Sequence, residues 1–178
     1  LTIYDTSSDV SQLIVDRLHI FLDFPTEEVM QVVELYVISN PTNETIVAGE
    51  AGGGVVEFSL PAGATNLQFQ DGMLGERYIA SASGFMDTIP VRPGKGQYQV
   101  MYAYDLPYDK KADLEQTFAL NMDAVILMAP SDGVKIKSDS LESSGVRDVQ
   151  GTEFAMYTTS SLAAGEKLKI SVSGSPAS

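Results

Sequence analysis

The sequence predicts an all-β chain that folds as an antiparallel β-sandwich, immunoglobulin-like or related, with about ten to twelve short strands. Three observations lead to this prediction. Apolar residues alternate with polar ones in most segments, and Pro/Ala-Gly turns separate these segments at short intervals. No segment carries an apolar i, i+3, i+4, i+7 stripe of useful length. The nearest is "DKKADLEQTF" (109–118), which admits one or two helical turns.

The first long strand is predicted between Gln12 and Phe24, because its side chains alternate with a period of two. One parity is apolar and consists of Ile14, Leu18, Ile20, Leu22 and Phe24. The other parity holds Arg17, His19 and Asp23, while Asp16 interrupts the apolar set. We therefore expect a half-buried strand that ends in a turn around Pro25.

The next run, "VMQVVELYVISN" (29–40), is rich in β-branched residues and apolar on both faces. Such a pattern is typical of a central strand that is covered on both sides. The polar segment "NPTNE" that follows predicts a loop.

Three later segments each combine a short apolar stretch, a Pro/Ala-Gly turn and an alternating strand. They cover residues 58–69, 91–104 and 161–172. Glycine supplies the positive φ of such turns, so the pattern predicts tight antiparallel connections. Further strands are predicted within 76–82, 86–91, 115–122, 123–129, 133–139 and 153–159, whereas "RDVQGTEF" (147–154) has the charged composition of a solvated turn.

We expect a single sandwich domain over residues 10–174, preceded by an exit from another domain or linker (1–9) and followed by a linker (175–178). An alternative is two half-sandwiches split near 105–113, where the charged stretch "DLPYDKKAD" lies. The second half would then hold about five strands, which is few for an independent sandwich.

The composition excludes several functions. The chain has 24 acidic and 11 basic residues and a formal charge of −13, so nucleic acid and anionic membranes would repel it. It has no cysteine, which excludes disulfides, thiolate zinc sites and a cysteine nucleophile. No apolar run reaches the ~18 residues of a membrane helix, so we expect no direct membrane insertion by this segment.

No catalytic or metal-binding motif is evident. His19 is the only histidine, which excludes a two-histidine zinc motif. It lies in the middle of a predicted strand, without a G-x-S-x-G elbow elsewhere, so we interpret it as structural and paired with Asp23 on the same face. We therefore predict that the chain is not an enzyme and has no resident metal, with calcium as the one cofactor left open.

The stretch 96–113 carries the candidate ligand-binding residues. Tyr98, Tyr102 and Tyr104 share one parity with Val100, which predicts that their rings fill the core. Tyr108 follows Pro107, the predicted end of the strand, and is expected to be the exposed ring of the group. Together with Asp105 and Asp109 it forms the candidate site of a carbohydrate- or calcium-binding module, although the aspartate spacing does not match an EF-hand loop.

The phrases "FSLPAGATNL", "PVRPG" and "YAYDLPY" belong to a succession, roughly residues 10–175, that resembles a bacterial extracytoplasmic β-sandwich module. Such modules occur in exported or membrane-anchored proteins, often adjacent to carboxypeptidase-regulatory-like or immunoglobulin-like domains. The resemblance implies a secreted or envelope-anchored location and no catalytic residues. It also implies a structural or interaction role, with neighbouring domains of the same polypeptide or envelope proteins as partners.

Overall fold

The all-β class and the mostly antiparallel strands are confirmed. The computed structural model describes residues 1–176, which form sixteen strands in four sheets and one short 3-10 helix, Val10–Gln12. The structure has more strands than the expected ten to twelve because several of its strands are only two to four residues long. The described residues contain no α-helix, and none of their helical segments is long and apolar enough to span a bilayer.

The largest sheet has eight strands and mixes both ends of the chain. From one edge to the other its path is β14 (Glu142–Val149), β15 (Thr152–Thr159), β12 (Val125–Pro130), β2 (Ile14–Thr26), β3 (Val29–Asn40), β9 (Gly94–Pro107) and β6 (Thr65–Phe69), and β11 (Asn121–Met122) pairs beside β2. Strands that precede and follow residues 105–113 therefore pair within one sheet, with β12 parallel to β2. The domain boundaries at residues 10 and 174 stay a prediction, and residues 177–178 of the expected linker lie outside the described residues.

Two three-stranded sheets form the second layer. One consists of β10 (Lys111–Thr117), β16 (Lys167–Gly174) and β13 (Val134–Lys137), and the other of β5 (Val56–Ser59), β8 (Gly84–Asp87) and β7 (Tyr78–Ala80). The remaining strands, β1 (Asp5–Ser7) and β4 (Glu44–Ile46), form a parallel pair. Segment 109–118 is thus largely strand β10 rather than helical turns, because its alternate residues pack inward while the others face solvent.

Aromatic side chains join the layers. The ring of Tyr36 on β3 meets that of Phe58 on β5 at 4.9 Å, and Tyr102 on β9 meets Phe85 on β8 at 4.8 Å, both edge to face. Tyr102 and Tyr104 are almost completely buried, as the parity of β9 predicted. Edge-to-face pairs add about 0.5–1.5 kcal/mol each beyond the burial of their area, so they contribute directly to closing the sandwich.

Strand β2 departs from simple alternation at Asp16. The register against β3 shifts between Val15 and Arg17, which is a β-bulge. Val15 is therefore the buried residue before the bulge, and Ile14, expected in the core, is only partly buried. The Asp16 carboxylate accepts a hydrogen bond of 2.6 Å from the Ser39 hydroxyl, so the residue that interrupts the apolar pattern holds the bulge. The strand also continues through the expected turn at Pro25, as far as Thr26.

Strand β14 was not predicted from the sequence. All eight of its residues are exposed, so it lacks the alternation that reveals a half-buried strand. It pairs only with β15 and forms one edge of the large sheet. Most of the segment interpreted as a solvated turn, 147–154, is strand, with the turn confined to Gln150 and Gly151.

The centre of the sandwich holds a buried carboxylate, Glu34 on β3. Its side chain has no exposed surface. The Tyr36 hydroxyl donates to Oε1 at 3.1 Å, and the Gln116 amide, from β10 in the opposite layer, donates to Oε2 at 3.1 Å. Burial raises the pKa of Glu34 to about 7, although the surrounding hydroxyl and amide donors oppose that rise. Glu34 is therefore a hydrogen-bonded carboxyl group at the boundary between the two layers, and its burial favours the protonated form.

We predict that Gly84→Ala destabilises the protein by about 2 kcal/mol or more, because a Cβ at this position would lie 2.1 Å from the backbone carbonyl oxygen of Phe58. Urea unfolding measures the change. Gly49→Ala is the control, since its Cβ would meet only the Cβ of Ser8 at 3.9 Å. Equal stability of the two variants would show that β5 and β8 are not in the close pairing described.

We also predict a pH-dependent difference in stability between the wild type and Glu34→Gln. Because the pKa of Glu34 in the folded protein, about 7, lies above the usual value of 4.5, folding favours the protonated acid. Its contribution is fully present below about pH 4.5 and is lost as the pH rises through about 7, a change on the order of 3 kcal/mol.

Chemical unfolding of both proteins across this range measures the difference, and subtraction removes the titration of the other groups. The exposed Glu142→Gln variant, which leaves the core unchanged, should parallel the wild type. A wild-type curve that also runs parallel to that of Glu34→Gln between these pH values would contradict the assignment.

Candidate functional site

The three residues predicted to bind a ligand do not form one site. The Tyr108 ring, expected to be exposed, is only 5% accessible, because its hydroxyl donates to the Gly174 carbonyl at 2.6 Å and its ring packs on Phe24. Asp105 projects from the opposite face of the chain, since it is three residues away along an extended segment. Its carboxylate accepts a hydrogen bond from Asn66, and Asp109 is exposed in the following turn.

The described residues also do not gather ligands for a cation. Within residues 1–176, no three His, Asp or Glu side chains approach closely enough to hold a metal ion. Calcium requires six to eight oxygen ligands, most often with several carboxylates among them. The calcium or carbohydrate alternative for Asp105, Tyr108 and Asp109 stays a prediction.

His19 is on the solvent-facing side of β2, in the middle of the strand as predicted. Its ring stacks on that of Phe21 with a centroid distance of 6.2 Å. Partial burial, and then the charge of Arg17, lower the pKa of His19 below its usual value. A neutral imidazole in contact with an apolar ring is consistent with a structural role.

Burial raises the pKa of Glu34 to about 7, into the range of a general base, but its side chain has no exposed surface that a substrate could reach. A pocket of about 10 Å³, room for a single water molecule, is lined by Tyr36, Phe58 and Phe118 but not by Glu34. General base catalysis requires hydrogen-bond contact with the reacting group. This acid therefore belongs to the core rather than to an active site.

A second polar cluster lies between Arg77 and Asp87. The guanidinium and the carboxylate form a two-point ion pair of 3.0 and 2.8 Å, and Asp87 is fully buried. The Tyr98 hydroxyl and the Ile89 amide also donate to this carboxylate. Burial and the adjacent carboxylate raise the pKa of Tyr98. Because both Asp87 oxygens already accept hydrogen bonds, the cluster fixes the end of β8 and is not an open binding site.

The main unexplained surface is the solvent-facing side of the large sheet, which we call the outer face. Two adjacent rows of partly exposed side chains cross it, each row following the pairing of the strands. The first row consists of Met156, Met128, Phe21, Val33 and Ala103. The second consists of Thr158, Ile126, His19, Leu35 and Met101. Apart from Thr158 and His19, the residues of both rows are apolar, and the rows form one partly exposed area across five strands.

The outer face corrects the prediction for "VMQVVELYVISN". Strand β3 is central, as expected, but its outer face is buried only at Val37 and Ser39, towards the end of the strand. Val33 and Leu35 on the same face remain partly exposed. Contiguous exposed apolar areas of this kind are typical of protein interaction sites.

Comparisons with known proteins do not assign a family. No protein-family model matches the sequence, and no curated protein matches it. Among solved structures, the M1 zinc metallopeptidase from Deinococcus radiodurans has a similar fold over part of its length, with a TM-score of 0.46 and 12% identity. Its E323A mutant bound to a Tyr-Ser-Ala substrate gives 0.46 and 11%. The alignment covers 91% of this chain but 42% of the metallopeptidase chain, so this chain spans less than half of that protein's length.

Proposed function

We propose that this chain is a non-catalytic, extracytoplasmic interaction module of a larger cell-envelope or secreted protein, and that its outer face is covered by another protein surface. The apolar area across five strands of the large sheet is the observation that carries this proposal. A solvated strand face normally alternates with the buried one as polar against apolar. Here the solvated face is apolar at its centre.

The interior of the domain supports a role without chemistry. Its buried ionisable groups, Glu34 and Asp87, each have hydrogen-bond partners from the protein itself. The pocket beside Tyr36 and Phe58 has a volume of about 10 Å³. Rigid sandwiches with sealed cores suit the spacing or presentation of surfaces.

The extracytoplasmic location rests on the sequence resemblance. The acidic surface favours solubility and disfavours contact with nucleic acid and anionic lipid. The partner surface is thus a protein that offers an apolar area matched to the outer face.

The absence of native cysteine allows a direct test with single-cysteine reporters. Met101→Cys places a thiol on the outer face, and Lys135→Cys places one on exposed strand β13 in the other layer. In intact producing cells treated with a membrane-impermeant maleimide, we expect Lys135→Cys to react and Met101→Cys to be protected until the protein is denatured, because the partner covers the outer face.

The two reporters separate the parts of the proposal. Equal labelling of both positions on intact cells would show that the outer face is not covered and would overturn the interaction role. Labelling of Lys135→Cys only after lysis would overturn the extracytoplasmic location. Both variants should first show the circular dichroism and unfolding curve of the wild type.

A further inference from the structure

We propose that the outer face docks against the same face of a second copy of this chain, around a two-fold axis that lies between the sheets and perpendicular to their strands. This inference rests on the proposed interaction role and names its partner. An isologous contact needs a surface that is complementary to itself after a half-turn. Both the apolar rows and the charges of the outer face have this property.

The two apolar rows face each other across such an axis. A half-turn about this axis keeps each strand over its counterpart and reverses its direction. The first row of one copy then faces the second row of the other, which sets Val33 against Leu35 and Ala103 against Met101 of the second copy. Small side chains thus meet large ones, the arrangement that lets two sheets pack face to face at about 10 Å.

The charges of β2 lie at opposite ends of the face. Arg17 is six residues from Asp23, or about 20 Å along the strand, and both side chains are exposed. The midpoint between them is at Ile20, between the two apolar rows. The same half-turn therefore brings Arg17 over Asp23 of the second copy, and brings Asp23 over Arg17 of the second copy.

Strand β14 carries one charge of each sign. Its Arg147 pairs with Phe154, at the same end of the face as Asp23, and its Glu142 pairs with Thr158, in the second apolar row. The half-turn sets Glu142 opposite Gly145 of the second copy, two residues along the strand from Arg147. On β9, Asp105 then faces the uncharged Gln99 rather than another carboxylate.

The orientation of the axis is decided by the charges of β2. A half-turn about an axis parallel to the strands and centred on β2 would leave each charge at its own end, so Asp23 would meet Asp23 of the second copy and Arg17 would meet Arg17. Like charges in contact across an interface cost several kcal/mol. The perpendicular axis instead places Arg17 and Asp23 opposite the other sign.

The local charge also favours a second copy over a basic partner. The paired rows of the outer face carry two arginines, Arg17 and Arg147, against three carboxylates, Asp23, Asp105 and Glu142. The whole chain has 24 acidic residues against 11 basic ones. The surface is thus nearly neutral where it is apolar, and its acidic excess lies elsewhere.

The size of the face is sufficient for a specific dimer. The path of seven strands from β14 to β6 and the six-residue span from Arg17 to Asp23 give an area of about 600 Å². A face-to-face pair would remove about 1,200 Å² from solvent. That value is at the lower end of the range for specific interfaces, so we expect a concentration-dependent dimer.

The test uses sedimentation velocity on the 178-residue chain over a concentration series. We expect the wild type to dimerise, and Arg17→Asp and Asp23→Arg each to weaken the dimer at least about tenfold, because each sets like charges opposite one another. The double variant Arg17→Asp/Asp23→Arg should recover dimerisation. An equimolar mixture of the two single variants should recover it as well, since each supplies the charge that the other lacks.

Lys135→Asp, on β13 in the other layer, is the matched control: it adds the same negative charge as Arg17→Asp and should leave the dimer unchanged. A wild type that is monomeric at every concentration overturns the self-docking. A dimer whose affinity is unchanged by the charge reversals also overturns it and would point to edge pairing through β14. The interaction role is judged separately: protection of Met101→Cys on cells beside a monomeric purified chain would mean that a different protein covers the outer face.

Discussion

The position of Glu34 on the inner side of β3 is the constraint on which the rest of the structure depends. A carboxylate in a dry interior costs several kcal/mol unless hydrogen bonds satisfy it, and Gln116 from β10 provides one of these bonds across the two layers. Because side chains alternate along a strand, the inward position of Glu34 sends Val33 and Leu35 outward. The strand register that buries the Glu34 carboxyl group therefore also places the apolar side chains of Val33 and Leu35 on the outer face.

Much of the architecture could be predicted from local pattern, and the failures have physical causes. The tyrosines of β9 obeyed their parity because the strand pairs with β3 in continuous register from Tyr98 to Pro107. The bulge at Asp16 shifted β2 by one position, which alternation alone does not reveal, although the acid that interrupts the pattern marked the place. Strand β14 escaped prediction because an edge strand with both faces solvated has no apolar period to detect.

The sequence showed that the outer-face residues of β3 are apolar, but we interpreted them as part of a strand that is buried on both sides. Two apolar faces on "VMQVVELYVISN" indicated cover on both sides, and the chain buries the outer face only near the end of the strand, at Val37 and Ser39. The burial of Tyr108 was not accessible to local reasoning either, because its hydroxyl partner, Gly174, is 66 residues away. Long-range contacts decide which polar tyrosine is a core residue, whereas strand periodicity decides only which side it points to.

The distribution of charge explains how such a protein stays soluble while it presents an apolar face. Acidic residues outside the outer face give the chain its net charge of −13, which keeps copies apart at distances comparable with the Debye length of about 8 Å at physiological salt. At contact, neighbouring opposite charges and buried apolar area act over shorter distances, where screening is weaker. Repulsion at long range and complementarity at short range together favour one oriented contact over indiscriminate aggregation.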